Sequence, residues 1–163
     1  MKKIEMPADY YAQTPDANVR ATEAVMNTIK TADLIFDRIG RLLRPLNVSA
    51  AGGLVLGILR DHGATSPSEL GQRLIVTRAT VTGLIDSLER RGFVRRSANP
   101  DDRRSLMVEI TPDGLVVLQK LRTLVHRHEQ DWMRSFSDAE LRTYIEMHHR
   151  IQQTVTTLTA DVD

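Results

Sequence analysis

The chain has 163 residues, 41% of them hydrophobic, which suits one domain with a sizeable core. It has no cysteine, which excludes disulfides, thiolate metal sites and thiol-based sensing. A net charge of +1 gives no bulk attraction to a polyanion. No apolar run approaches the roughly 20 residues that span a bilayer, and no secretion signal opens the chain, so a cytoplasmic protein without a membrane partner is expected.

Residues 1–15 carry Pro7 and Pro15 without a clear period and read as an extended arm. Asp16 can cap a helix from about Ala17 to Arg44, closed by Pro45. Val25, Ile29, Ala32, Phe36, Ile39 and Leu43 step along it by four and three, a heptad-like seam. A helix this long exceeds what one small domain needs, so residues 16–45 are expected to form a subunit interface. Ser49 can cap a second helix to about Asp61, unusual for its interior Gly52, Gly53 and Gly57. Each interior glycine costs about 1 kcal/mol relative to alanine. Two explanations stay open: close packing against the first helix, or a hollow for a small ligand.

Ser66-Pro67-Ser68-Glu69 is a capping box that starts a short helix, with Leu70 and Leu74 on its inner face. Ile75 and Val76 cross a turn, and Thr77 can cap the next helix. There Val81, Leu84, Ile85 and Leu88 mark one buried face. Gly92 after Arg90-Arg91 reads as a helix end. The period then changes to two. Phe93 to Arg96 and Leu106 to Ile110 can pair as strands around the turn residues Ala98-Asn99-Pro100-Asp101-Asp102. Thr111-Pro112-Asp113-Gly114 opens a helix to about Ser135. Ser137-Asp138-Ala139-Glu140, a second capping box, opens the last one.

A helix-turn-helix followed by a basic hairpin is a winged helix. Residues 46–111 are expected to form it, between the helix of residues 16–45 and the helices of residues 112–163. The predicted class is mainly α with a small β-wing, a winged helix-turn-helix flanked by long dimerisation helices. Charge supports a nucleic-acid role. Residues 73–104 hold eight arginines and four acids, a net of +4, while the remainder nets −3. A major groove accepts one helix, whose amino-terminal residues meet the base edges. Thr77, Arg78, Ala79, Thr80 and Thr82 occupy that end. Arg78 can donate twice to a guanine, the threonines suit phosphate or a thymine methyl, and Ala79 and Gly83 keep the helix close. Asp86 on the same side repels phosphate or accepts from cytosine. Arg103, just past the hairpin turn, can reach a minor groove. Arg73, Arg95 and Arg96 are candidate phosphate contacts.

The stretches VTRATVTGLIDSLERRGFVRR and DDRRSLMVEITPDG resemble the MarR family of bacterial transcription regulators. The resemblance is close over roughly residues 48 to 114 and architectural beyond. It implies a homodimer whose long helices interlock on double-stranded DNA, most simply as a repressor. It also implies that Asp102 and Arg104 brace the wing and nearby phosphates. A two-fold dimer predicts a pseudo-palindromic operator with half-sites roughly 34 to 36 Å apart. A small aromatic or phenolic anion, bound between the dimerisation helices and the winged domain, would alter the separation of the recognition helices. Gly53, Leu56 and Gly57, with Phe36 and Arg38, are the candidate pocket. Gly83 departs from the family, which often carries a longer polar residue there. The glycine-rich second helix departs too.

No His-Glu-x-x-His, paired cysteine or phosphate-binding glycine loop is present, so no enzyme and no cofactor are expected. Two alternatives stay open. One is a metal-responsive regulator using His126, His128, His148 or His149, although no metal ligand set can be assigned. The other is a winged-helix module that docks proteins.

Overall fold

The computed structural model describes residues 2–7, 9–13, 16–74, 76–99 and 105–159. The chain forms two compact units, residues 1–123 and 124–163.

In the first unit the amino-terminal arm is held by side chains rather than by a strand. Asn27 donates from Nδ2 to the Ile4 carbonyl and accepts the Ile4 N–H at Oδ1, both at 2.9 Å. Glu23 accepts the Met6 N–H at 2.8 Å, and Lys30 donates to the Lys2 carbonyl. A short helix α1 follows at Tyr10–Gln13, and then α2 at Val19–Leu43. Asn18, not Asp16, caps α2 by accepting the Ala21 N–H. Both residues are competent caps, and the register that buries Val19 decides between them.

A 3-10 turn at Arg44–Leu46 leads through Asn47, at a left-handed φ of 54°, into α3 at Ala50–His62. Ser49 caps α3 as the sequence predicts, accepting the Gly52 N–H at 3.0 Å. Val55, Leu56 and Leu59 on α3 are buried with Leu43 of α2 and Leu118 and Leu121 further along the chain.

The winged domain continues with α4 (Pro67–Leu74), α5 (Arg78–Glu89), β1 (Val94–Ala98) and β2 (Leu106–Ile110). Leu70, Val81, Ile85 and Leu88 close its core. Ser66 accepts the Glu69 N–H, but Glu69 turns to Arg73 and leaves the capping box half made. The strands are antiparallel, with Val94 opposite Ile110 and Ala98 opposite Leu106. Thr65 adds a one-residue bridge to β2: its N–H donates to the Val108 carbonyl and its carbonyl accepts from Val108.

Helix α6 (Pro112–Met133) begins close against β1. Thr111 donates its hydroxyl to the Gly92 carbonyl, its N–H to the Phe93 carbonyl, and accepts the Gly114 N–H at 3.1 Å. A β-carbon on residue 114 would stand 2.8 Å from Ile110 Cγ1 and closer still to the Phe93 carbonyl oxygen. The Thr-x-x-Gly spacing therefore has a steric cause.

In the second unit, α6 ends at Met133, two residues short of the sequence expectation, and α7 runs over Asp138–Thr159. Its capping box is complete. Glu140 accepts the Ser137 N–H at 2.7 Å, and Ser137 Oγ accepts the Glu140 N–H at 3.4 Å. That backbone donor, and then the Ser137 hydroxyl, hold the Glu140 carboxyl below the usual carboxylate range.

Candidate nucleic-acid interface

Helix α5 divides into two faces. Val81, Ile85 and Leu88 are buried, while Arg78, Ala79, Thr80, Thr82, Gly83 and Asp86 are exposed. Thr77 caps the helix as predicted: its Oγ1 accepts the Thr80 N–H at 3.3 Å and lies 2.9 Å from the Thr80 hydroxyl. Thr82 donates to the Arg78 carbonyl. Arg78 is exposed and engages no acid among the described residues, so its fork of donors is available. A β-carbon at Gly83 would meet nothing within 4 Å, so the open surface comes from the sequence and not from crowding.

A cleft of about 1110 Å³ runs from the start of α4 past Thr77 and Arg78 to the wing. Ser66, Ser68 and Gln72 line one side of it, Asn99 and Ser105 another. The sequence reading did not place these five at a site. The only signal was their hydroxyl or amide chemistry beside a capping box and a turn.

The arginines divide differently from the sequence expectation. Arg73, Arg95 and Arg96 all have intramolecular partners. Arg73 donates to Glu69 at 2.8 Å and meets His62 at 3.2 Å. Arg95 donates across the hairpin to Glu109 at 2.8 Å, and Glu109 also accepts from Ser97. Arg95 first, then Ser97, hold the Glu109 carboxyl below its usual range. Arg96 reaches Asp86 at 2.5 Å and Glu89, which together push its guanidinium further toward the charged form. Arg90 and Arg91 turn back onto α5, donating to the carbonyls of Asp86 and Ser87. Asp102, Arg103 and Arg104 lie outside the described residues.

Residues 48–106 match the protein-family model described as the MarR family. The chain is similar to that family over this region. Over 132 residues the chain is 29% identical to the HTH-type transcriptional regulator PecS of Dickeya dadantii, covering 78% of the chain and 79% of PecS. Other curated relatives are spanned over about half their length. The transcriptional regulator BldR of Sulfolobus solfataricus superposes with a TM-score of 0.76 at 26% identity, over 85% of this chain and 99% of BldR. An E. coli MarR variant complexed with operator DNA superposes with a TM-score of 0.68 at 25% identity, over 78% and 95% of the two chains. These relatives are named as transcription regulators, not as enzymes.

The five residues expected to form the effector pocket differ in their surroundings. A β-carbon at Gly53 would stand 2.7 Å from Leu121 Cδ1, so Gly53 serves close packing, against α6 more tightly than against α2. Leu56 is wholly buried, Arg38 is exposed, and Gly57 faces open space. Phe36 borders a cavity of about 650 Å³ that it shares with Asp37, Arg41, Arg44, Asn47, Ser87 and Arg91. That cavity joins the end of α2 to the end of α5.

The histidines of the second unit have local neighbours. His126 Nδ1 lies 2.9 Å from Glu129, and His128 stacks on Trp132 at 6.2 Å. His148 meets the Tyr144 carbonyl and ring, and His149 meets Gln153. Among the described residues, no three His, Asp or Glu side chains gather as a metal site. No single described helix is long and apolar enough to cross a membrane.

Proposed function

We propose that this chain is a MarR-type, sequence-specific DNA-binding transcription regulator, acting as a homodimeric repressor that a small aromatic anion releases. The observation that carries the reading is the exposed amino-terminal end of α5. A side-chain cap holds its first turn, Arg78 is free of acids, and three threonines flank it. Arg78 is assigned to base edges, and Thr77, Ala79, Thr80 and Thr82 to close approach and phosphate. Arg103 is assigned to the minor groove, with Asp102 and Arg104 bracing it. The operator-bound E. coli MarR variant shares this fold.

Two exposed apolar faces support the dimer. Val25, Ile29 and Phe36 on α2 are 54%, 51% and 50% exposed, and Ile145, Ile151 and Val155 on α7 are comparably open. Residues spaced for a helical seam yet left in water invite a second copy. The effector is assigned to the cavity beside Phe36, where a ring and the guanidinium groups of Arg44 and Arg91 suit a flat anion, while Arg41 is paired with Asp37 of the same lining at 2.6 Å. Its contact with Ser87 and Arg91 couples it to the recognition helix.

Fluorescence anisotropy with DNA from the gene's own promoter region and with scrambled DNA, at two salt concentrations, tests the reading. Promoter DNA is expected to bind at least a thousandfold more tightly, with steep salt dependence. Equal affinity for both DNAs would refute it. Sedimentation should give about twice the 18.4 kDa chain mass.

A further inference from the structure

Arg96 leaves β1 and turns back onto the recognition helix, where both ends of its guanidinium are engaged. Nη2 donates to Asp86 Oδ1 at 2.5 Å and Nη1 donates to Glu89 Oε2. The Arg96 backbone N–H donates to Glu89 Oε1 at 3.1 Å. Its side chain is only 25% exposed, against 70% for Arg95. Asp86 stands in the same helical row as Arg78 and Thr82, four residues apart each time, and all three are exposed. An acid in the row offered to a polyanion is unfavourable on charge alone. The hairpin continues the connection: Arg95 and Ser97 on β1 both donate to Glu109 on β2. One line of charge-assisted bonds thus joins α5 to β1 and β1 to β2.

We propose that Arg96 is a positioning residue, not a phosphate ligand, and that Asp86 and Glu89 favour operator binding by fixing the wing against the recognition helix through it. The inference rests on the DNA-binding reading above. A phosphate contact by Arg96 would give up two charged hydrogen bonds and leave two carboxylates uncompensated beside DNA. Bonds to phosphate are charge-assisted like the two given up, so the two carboxylates left beside a polyanion make the exchange unfavourable. The fork also explains arginine. It reaches two carboxylates on successive turns of α5 at once, which a lysine ammonium does not. With the fork in place, Asp86 is unavailable to cytosine, and base reading falls to the first turn of α5.

The two roles predict opposite signs. If Arg96 were a phosphate ligand held back by acids, the double variant D86N/E89Q would release it and strengthen binding. The R96A variant would then lower the salt slope by about one unit. As a positioning residue, Arg96 gives the reverse. D86N/E89Q is expected to weaken binding to promoter-region DNA about tenfold while leaving scrambled-DNA binding equal or tighter. R96A should weaken promoter binding to a similar extent with an unchanged salt slope. R96K should not restore it, and the triple variant should bind no worse than R96A, because the three side chains act as one unit.

Hydrogen exchange on the DNA-free protein supplies a second reading. The amides of residues 94–98 and 106–110 should exchange several-fold faster in D86N/E89Q and in R96A, with the rest of the winged domain unchanged. Promoter binding by D86N/E89Q at or above wild-type strength overturns the proposal, as does unchanged exchange in the strands. If the wild type fails to separate promoter from scrambled DNA, the DNA-binding reading fails. The exchange measurement then decides the α5–β1 brace by itself, and unchanged exchange overturns it.

Discussion

Replacing Gly114 with alanine isolates the junction between the wing and α6. The added β-carbon would lie 2.8 Å from Ile110 Cγ1, 3.0 Å from the Phe93 carbonyl carbon and closer still to its oxygen. Carbon atoms rest about 3.5–4.0 Å apart, so close to an ångström must be found, and two of the three obstacles are backbone that cannot rotate away. Moving α6 outward would loosen the Thr111 N–H bond to Phe93 and the Thr111 hydroxyl bond to Gly92. Overpacking costs roughly 1–3 kcal/mol and each weakened bond about 1, while alanine regains about 1 in helix propensity. A net loss of about 3 kcal/mol follows. At about 2–4 °C per kcal/mol for a chain of this size, Tm should fall by roughly 6–12 °C. Gly57→Ala is the internal control. Its β-carbon meets nothing within 4 Å, so it should stabilise by about 0.5–1 kcal/mol. Urea unfolding followed by circular dichroism at one protein concentration measures both. A Gly114→Ala variant within about 0.5 kcal/mol of wild type would refute the steric account.

Four further outcomes are expected. Thr77→Ala removes the α5 cap and should cost about 1 kcal/mol in urea unfolding. Arg78→Ala should relax sequence preference by about 1–3 kcal/mol at one base pair while changing scrambled-DNA affinity much less, as competition anisotropy would read. Arg103→Ala should weaken operator binding, and unchanged affinity would remove the wing from the proposed interface. For Glu140, the folded carboxyl titrates below its unfolded value. Its stabilisation is therefore complete above the ordinary carboxylate range and lost as pH falls through the folded value. The stability difference between wild type and Glu140→Ala should shrink on acidification, and a difference constant with pH would refute the cap's charge dependence.

Most of the fold was legible because its signals are local. Ser49, Thr77 and Ser137 cap the helices they precede, and Val81, Ile85 and Leu88 fall on the buried face that their spacing predicts. Misreadings arose where local chemistry was degenerate or absent. Asp16 and Asn18 are both good caps two residues apart, and only the tertiary burial of Val19 separates them. The bridge from Thr65 to Val108 is a single residue pair across 43 positions, too short to leave a period. Gly53 and Gly57 look alike in sequence. Yet one is filled against by Leu121 and the other faces open space. What a missing side chain accommodates is a property of the neighbouring helix, which its own helix does not encode.

Charge shows the same limit more sharply. Counting arginines along residues 73–104 correctly marks the basic part of the chain, but it treats the eight as equivalent. Arg73 meets Glu69 as an i,i+4 pair that the spacing itself offers, whereas Arg95 and Arg96 meet Glu109 and the Asp86–Glu89 pair through contacts that close only when the chain folds. Arg90 and Arg91 are drawn to the carbonyl end of α5, where cations are favoured by the helix dipole. Within the described residues the guanidinium left facing the cleft is Arg78, at the helix end that a groove would admit. Net charge fixes the long-range attraction, which these pairings leave unchanged, while the salt slope follows the arginines that reach phosphate. Recognition depends on which donors remain uncommitted, and that is set by the acids interleaved among the arginines. Asp86, which on charge alone should oppose DNA, is in this geometry part of what holds the reading surface in place.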